Sequence, residues 1–595
     1  MMLFQGADNM SSINCILLHL FFRSNAAIYS MDEPGVNDQT KRIFISPTNR
    51  STRAKGAIIM WSKEKEKETD KKSGDDAINN SNSNNNNHES AKSASDSIMN
   101  ITHTNGTTNT VAHLSFPRND CNHGKKHIVI LGSGFAGVEV LKRLQKKFKN
   151  KDNVTITLVS EDNFILFTPM LPEVASGMIE VRHIVTPVRS FCSKANFYQA
   201  TVHSIDLKNK EIITRHPIGK LSEASRWDQH ALKYDHLVIA LGSETRFFGM
   251  NDVKEHSFTM KSIDDAIAVR NHILSILEQA NVEQTDRELT KSLLTFVVVG
   301  GGFNGVETVG EINDFIRETI RSYYKNIYMS DVRVILVSAT EKILEQVDEK
   351  LGEWAMQKLK AKGVEFILKK HVSAATSTST TLDDGVVIPC HTRIWAAGVT
   401  PSDLIASLSC EHDKRHAITV NNFLEVKGFE GQVYALGDCA SIIDPHTGKP
   451  YPPTAQHAVR EARIAAKNII YDIEGKQDKK IKFDYKTKGM MAEIGKRTGV
   501  ATLFGIRLHG FVAWWIWRTY YLSNLPTIKK KLKVMGDWTM DLVYTPDVAM
   551  IKKQLFFAEE NQMRQTEGDR QDHKVKEQDH KVQAAAEKKE IEKKQ

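Results

Sequence analysis

The chain has 595 residues, room for about two to four domains, and no run approaches the roughly 18 apolar residues that cross a bilayer, which excludes a multispanning membrane protein. With 41 % hydrophobic and 26 % charged residues it reads as a globular protein with polar tails, which excludes a chain disordered throughout. The formal net charge is +8, and residues 485–557, with twelve Lys/Arg against four Asp/Glu, carry all of that excess, so an anionic partner, lipid or nucleic acid, belongs near the C-terminus.

Residues 1–123 predict a disordered arm, because a stretch such as "INNSNSNNNNHES" (78–90) has nothing to bury. Within it "CILLHLFF" (15–22) is short enough for a signal core, but it lacks a basic segment before it and a small-residue cleavage site, which argues against secretion. The six cysteines form no CxxC pair, so neither a zinc site nor a disulfide framework is predicted, and a reducing compartment is favoured. Core patterning begins at Lys126. "HIVIL" (127–131) is β-branched and unbroken, as suits a strand buried on both faces. It runs into Gly132, Gly134 and Gly137 of "GSGFAGVEV", and a helical pattern follows. In such a loop the first glycine makes the turn, the second lets backbone approach a pyrophosphate, and the third lets helix and strand pack. The helix N-terminus then offers free N–H groups to the phosphates. "TITLV" (155–159) is the next strand, and Glu161 after it is placed to bond an adenosine ribose. "HLVIAL" (236–241) ends at Gly242, where backbone passes close to a cofactor.

"TFVVV" (295–299) leads into Gly300, Gly302 and Gly305 of "GGGFNGVET", the same device about 170 residues later. Two such sites imply two dinucleotides, and the natural pair is a permanently held flavin, FAD, and a nicotinamide that comes and goes, NADH. Alternating strands and helices around both loops predict an α/β, doubly wound class. Glu139 and Glu307 occupy matching places in the two "GVE" repeats. Glu307 therefore has two readings: a first-turn glutamate favoured by the helix dipole, or a desolvated carboxylate that relays protons. After "VRVILV" (332–337), Ser338 stands where a ribose-binding acid is expected, and no arginine there welcomes a 2′-phosphate, which leaves NADH ahead of NADPH. "HTRIWAAGVTPS" (391–402) carries Gly398 in a strand ending like that at Gly242. In "VYALGDCA" (433–440), Gly437 and Asp438 predict a bond to a flavin ribityl hydroxyl with a helix opening behind it, or else a plain helix N-cap. No histidines form an HxxxH group, so no metal is predicted. In "HGFVAWWIWRTYYLSNLPTIKKKLKV" (509–534), Trp514, Trp515 and Trp517 suit a headgroup layer, and Pro526 separates two helices. Ile528, Leu532 and Met535 form one apolar face, with Lys529, Lys530 and Lys533 away from it, as in a helix lying on a membrane; the alternative is a buried or dimer-forming helix pair.

These pieces, in this order, resemble the type II NADH:quinone oxidoreductases, single-subunit NADH dehydrogenases that do not pump protons. The resemblance runs from about Lys125 to Lys553. It is carried by "NFILFTPMLPEVASGMIEVRHIVTPVR" (163–189), "GGGFNGVETVGEI" (300–312), "VYALGDCA", "PPTAQHAVREA" (452–462) and "GFVAWWIWRTYYLSNLP" (510–526). It implies two Rossmann-like dinucleotide-binding domains, for FAD and NADH, with a C-terminal amphipathic helical membrane-docking region. The expected layout is a disordered arm (1–123), FAD-binding parts (124–255 and 396–480) flanking an NADH-binding domain (256–395), a docking region (481–559) and a charged tail (560–595). The implied reaction passes a hydride from NADH to FAD and then two electrons to a membrane quinone. Thr168 and Pro169 resemble a flavin-contacting loop, the alternative being a proline-stiffened turn. Ala455 and Gln456 would line the quinone end of the flavin, and Glu307 would lie beside flavin and nicotinamide, which makes Glu307 and Gln456 the catalytic candidates. Arg460 replaces the second glutamine of the family's AQxAxQ pattern, either to serve quinone oxygens or to pair with Glu461. The implied location is peripheral, on the cytoplasmic face of the plasma membrane or an equivalent respiratory membrane, docked through residues 509–536; a homodimer stays open and nucleic acid is disfavoured. A sulfide:quinone oxidoreductase needs a redox cysteine pair, and Cys439 has no evident partner; a non-enzymatic flavin- or nucleic-acid-binding protein is the other rival.

Overall fold

The computed structural model describes residues 125–550 apart from 218–226, 284 and 488; the expected N-terminal arm, its signal-like stretch and the charged tail lie outside the described residues. The first half of the described chain contains β1 (Lys126–Leu131), α1 (Phe135–Phe148), β2 (Val154–Ser160), α2 (Leu171–Ala175), β3 (Asn196–Gln199) and β4 (His236–Ile239). Next come β5 (Phe258–Thr259), α3 (Ile263–Val282), β6 (Thr295–Val299), α4 (Phe303–Tyr323), β7 (Arg333–Ser338), β8 (Val364–Leu368) and β9 (Thr392–Trp395). The last part holds β10 (Val433–Ala435), α5 (Ala455–Ile473), β11 (Gly489–Glu493), β12 (Gly499–Leu503), β13 (Ile506–Gly510), α6 (Phe511–Asn524) and α7 (Ile528–Asp541).

An unbroken apolar strand has no wet face, so it must run through the middle of a covered sheet. β1 does so: Ile128 to Leu131 are fully buried, between β2 on one edge and β4 on the other. The sheet order is β10-β4-β1-β2-β3, all parallel. The second sheet repeats the plan as β5-β9-β6-β7-β8, with the fully buried β6 at its centre. In both, the chain leaves the central strand through a glycine loop, with neighbours on either side reached by opposite crossovers. That is the switch point at which open α/β sheets bind ligands.

The C-terminal part is an antiparallel sheet, β11-β12-β13, carrying α6 on one face. Two glycines permit the close approaches that build the site. A Cβ on Gly310 of α4 would lie 2.7 Å from the Gly495 nitrogen, and one on Gly499 of β12 would lie 2.8 Å from the Trp514 nitrogen. Leu525 and Pro526 separate α6 from α7, as expected.

Candidate active site

The two glycine loops agree position by position. A Cβ on Gly132 would strike the Ala240 carbonyl at 2.2 Å, and one on Gly300 would strike the Ala396 carbonyl at 2.7 Å. The third glycines, Gly137 and Gly305, would each meet the carbonyl of the first at 1.9 Å. The middle glycines, Gly134 and Gly302, meet nothing within 4 Å. Packing thus explains four of the six glycines and leaves the middle two facing open space at helix starts that carry no side-chain cap. Uncapped N–H groups beside room for a close approach are what a pyrophosphate needs, so the residues present fit one dinucleotide at each loop.

Other candidates gather around these loops. Glu161 is exposed just beyond β2, and Ser133 of the first loop bonds Ser160 at the end of that strand (2.8 Å). Gly242 and Gly398 both take positive φ, and the residues after them pair as a short antiparallel ribbon joining the two sheets' ends. Asp438 does not cap a helix. Its carboxylate accepts from the Ser243 hydroxyl at 2.7 Å, with the Lys261 ammonium 3.6 Å away and donating to Ser243. The helix expected behind Gly437–Asp438 is a single 3-10 turn followed by a short strand, and α5 starts only at Ala455. Thr168–Met170 is also one 3-10 turn, with Pro169 inside it. Phe167 before it packs edge-on against Phe135 at the start of α1 (5.8 Å) and against Tyr521 of α6 (6.0 Å). Ala455 and Gln456 open α5, whose N-terminus also lacks a side-chain cap. Arg460 donates to the Gln456 carbonyl (2.8 Å) and lies 4.2 Å over the Tyr485 ring, so it does not pair with Glu461. Glu461 instead accepts from the Gly437 N–H (2.7 Å), and burial pushes its carboxyl up to about 7.

The two "GVE" glutamates, equivalent in sequence, diverge in structure. Glu139 is a partly exposed surface acid paired with Arg143 (2.8 Å) and Arg463 (3.1 Å). Glu307, likewise half-buried, meets α6 and β11 instead of arginines. One of its oxygens accepts from the Trp517 indole and from the Glu493 backbone N–H, each at 3.3 Å. Desolvation outweighs these two bonds and pushes its carboxyl up to about 8, so at neutral pH it holds a proton. It belongs to a buried group that the sequence did not single out. Glu173 of α2, Glu311 of α4 and Glu493 of β11 are each 1 % exposed, and burial raises all three carboxyls. Arg518 of α6 supplies a buried cation, 3.3 Å from Glu173 and 3.8 Å from Glu493, between the rings of Trp514 (4.1 Å) and Trp538 (4.6 Å). Glu307 and Glu311 share a face of α4 by their four-residue spacing.

This corrects the expectation for the tryptophans. Trp514 and Trp517 are 4 % and 1 % exposed and roof the acids; Trp515 alone of the three keeps part of its surface. Trp517 turns its indole N–H to Glu307, and Trp538 of α7 donates to Glu173 at 2.8 Å. Of the apolar face expected on the lysine helix, Ile528 is 65 % and Leu532 52 % exposed and Met535 is half-buried, while Val534 and Trp538 face inward. Cys439 is fully buried, its thiol donates to the Leu436 carbonyl (3.2 Å), burial raises it to about 11, and no described cysteine is disulfide-bonded. No metal-binding cluster occurs among the described residues.

Residues 126–462 match the family described as pyridine nucleotide-disulphide oxidoreductase, and residues 487–545 match the NDH2 C-terminal domain. The chain is 31% identical to the type II NADH:quinone oxidoreductase Ndh of Mycobacterium tuberculosis over 71% of its length and 89% of that protein's. It is 30% identical to the mitochondrial external NADH-ubiquinone oxidoreductase 2 of Saccharomyces cerevisiae over 70% of this chain and 80% of that one. Among solved structures, that of NDH2 from Plasmodium falciparum in complex with NADH superposes with a TM-score of 0.65 at 23% identity, covering 71% of this chain and all of the other; this likeness concerns the fold.

Proposed function

Because the chain belongs to the pyridine nucleotide-disulphide oxidoreductase family, and within it to the type II NADH:quinone oxidoreductases, we infer that it carries electrons from NADH through FAD to a quinone. The observation that carries the reading is the pair of glycine loops, each with its middle glycine facing open space at an uncapped helix. FAD, when bound, accepts the hydride of NADH and passes on its two electrons. The first loop and α1 hold its pyrophosphate, with Glu161 at the adenosine ribose. Asp438, held by Ser243 and Lys261, meets the ribityl chain. Thr168, Pro169, Gly242, Gly437, Ala455 and Gln456 would line the flavin's ring end. The second loop and Gly398 receive NADH. Glu307, neutral at working pH, stands as the proton donor to the reduced quinone, and Gln456 orients that quinone. Purified protein should show a flavin spectrum and oxidise NADH with ubiquinone or menaquinone analogues; no oxidation of NADH or NADPH with either would overturn the reading.

A quinone lives in the bilayer, so the enzyme works at a membrane surface. No helix among the described residues is long and apolar enough to cross one. The outward face of α7, with Ile528 and Leu532 beside Lys529 and Lys533, supports peripheral docking on an anionic leaflet of a respiratory membrane. Deleting residues 509–536 would be a poor test, because it also strips the roof from three buried glutamates and half-buried Glu307. The double variant Ile528→Glu with Leu532→Glu leaves that roof in place. It is expected to lose co-sedimentation with anionic liposomes while NADH still bleaches the flavin; retained sedimentation would refute docking through this face.

A further inference from the structure

The two nucleotide-binding sheets match residue by residue up to the ends of β2 and β7, and there they part. β2 ends at Ser160 and β7 at Ser338, each beside its glycine loop. The Ser133 hydroxyl meets Ser160 at 2.8 Å, and a Cβ on Gly301, the equivalent position, would lie 2.4 Å from the Ser338 Oγ. The next strand out closes on that serine in both copies, with the Ala200 N–H on the Ser160 carbonyl (3.0 Å) and the Lys370 N–H on the Ser338 carbonyl (3.1 Å). The turn that follows the serine is where an adenosine ribose is read. In the first copy it begins Glu161–Asp162, two acids for ribose hydroxyls, and β3 opposite runs out into uncharged Gln199 and Ala200. In the second it begins Ala339–Thr340, and β8 opposite runs out into Lys369 and Lys370.

The rest of the second turn is arranged around this difference. Ala339 is exposed and brings no side chain to block an approach. The hydroxyls of Ser338 and Thr340 lie 3.0 Å apart. Lys369 is held beside them in the left-handed region (φ 58°), its N–H on the Thr340 carbonyl at 3.2 Å. A lysine takes that conformation only where its surroundings impose it, and such strain gathers at ligand clamps. Its ammonium pairs with Glu341 at 2.8 Å, and Lys342 pairs with Glu349; all four side chains are more than half exposed. Surface pairs of this kind are worth little and are screened by salt, so an incoming dianion displaces the carboxylates at small cost. Lys370 is engaged elsewhere, 2.8 Å from Asp384.

We propose that this turn is a 2′-phosphate subsite, in which the Ser338 and Thr340 hydroxyls bond the phosphate and Lys342 and Lys369 neutralise it, so that the protein oxidises NADPH as well as NADH. Two lysines take the part expected of an arginine, and one of them arrives from a separate strand. A phosphomonoester carries about two negative charges at neutral pH, which two ammonium groups match. An unphosphorylated ribose carries none and meets the same two hydroxyls. The hydride leaves the nicotinamide, at the opposite end of the dinucleotide, in either case. The subsite rests on nucleotide oxidation at the second loop and adds which nucleotides that loop admits.

The test reads binding before turnover. Isothermal titration of the full-length flavin-loaded protein compares adenosine 2′,5′-bisphosphate with 5′-AMP, which lacks the 2′-phosphate. The bisphosphate is expected to bind roughly tenfold tighter or more, with the advantage shrinking as salt rises. In the double variant Lys342→Ala with Lys369→Ala, which alters exposed side chains only, the two probes should bind alike. There KM for NADPH should rise about 100-fold while KM for NADH stays within a few-fold. Ser338→Asp, which supplies the acid of the first copy, should reject NADPH and keep NADH. Equal binding of the two probes by the unmodified protein, or a lysine variant that loses NADH and NADPH in parallel, overturns the subsite. Unmodified protein that oxidises neither nucleotide would instead overturn the functional reading beneath it.

Discussion

Valine in place of Gly302 is expected to leave the flavin bound and abolish its bleaching by NADH. The backbone there has φ −78°, which any residue adopts, and a Cβ meets no protein atom within 4 Å, so folding has no reason to suffer. The side chain would instead occupy the space through which a pyrophosphate approaches the loop. A steric loss of about 3 kcal/mol or more corresponds to a KM for NADH at least ~100-fold higher. Gly134→Val is the reciprocal case, with φ −71° and equal freedom from contact. It should yield a folded protein without flavin. The pair separates the two sites by one absorbance spectrum and one anaerobic mix with NADH. Flavin lost from Gly302→Val, or NADH bleaching retained by it, would show that the loops have been assigned wrongly.

Glu307→Gln is expected to lower quinone-dependent turnover about 100-fold while NADH still reduces the flavin within a few-fold of the normal rate. The substitution is conservative where it touches protein. Trp517 and the Glu493 N–H both donate to one oxygen, which the amide keeps. What it removes is the exchangeable proton. With the carboxyl at about 8, the unmodified enzyme should hold its quinone rate below that pH and lose it above; the glutamine variant should show no such limb. Linkage gives a second readout. The folded value exceeds the unfolded 4.5, so the folded state binds a proton that the unfolded chain has released. This contribution is full below about 4.5 and is lost as pH rises through about 8, so the variant should gain thermal midpoint relative to the unmodified protein on the alkaline side. A pH profile with the limb intact in Glu307→Gln would place the donor elsewhere.

The nucleotide loops were legible in the sequence because everything that makes them is local. A β-branched strand, three glycines at fixed offsets and a helical pattern lie within 14 residues, and the structure gives the first and third glycines a steric reason and leaves the middle one facing open space. The acid cluster was not legible, because its members come from Glu173, Glu307, Glu493 and Arg518, as far apart as 345 positions in one ion pair. No local rule announces a buried glutamate, since glutamate usually lies at the surface. The same gap explains the tryptophans. Their density was visible, but an indole at a lipid interface and one bonded to a buried carboxyl have the same sequence signature. Glu139 and Glu307 make the point most sharply: one motif, one position, and opposite surroundings set by Arg463 on one side and Trp517 on the other.

The α6 roof ties the working acidity of the enzyme to its solvent surroundings. Trp517 and Arg518 dry the acids from a helix whose first residues, Phe511 and Val512, are exposed apolar surface. A detergent that loosens this helix admits water at Glu307 and returns the carboxyl toward its ordinary range. The alkaline limb of the rate profile then slides downward although no residue has changed. If α6 meets the membrane and Glu307 donates the proton as proposed, preparations in different detergents, or in vesicles, would behave as enzymes with different pH optima.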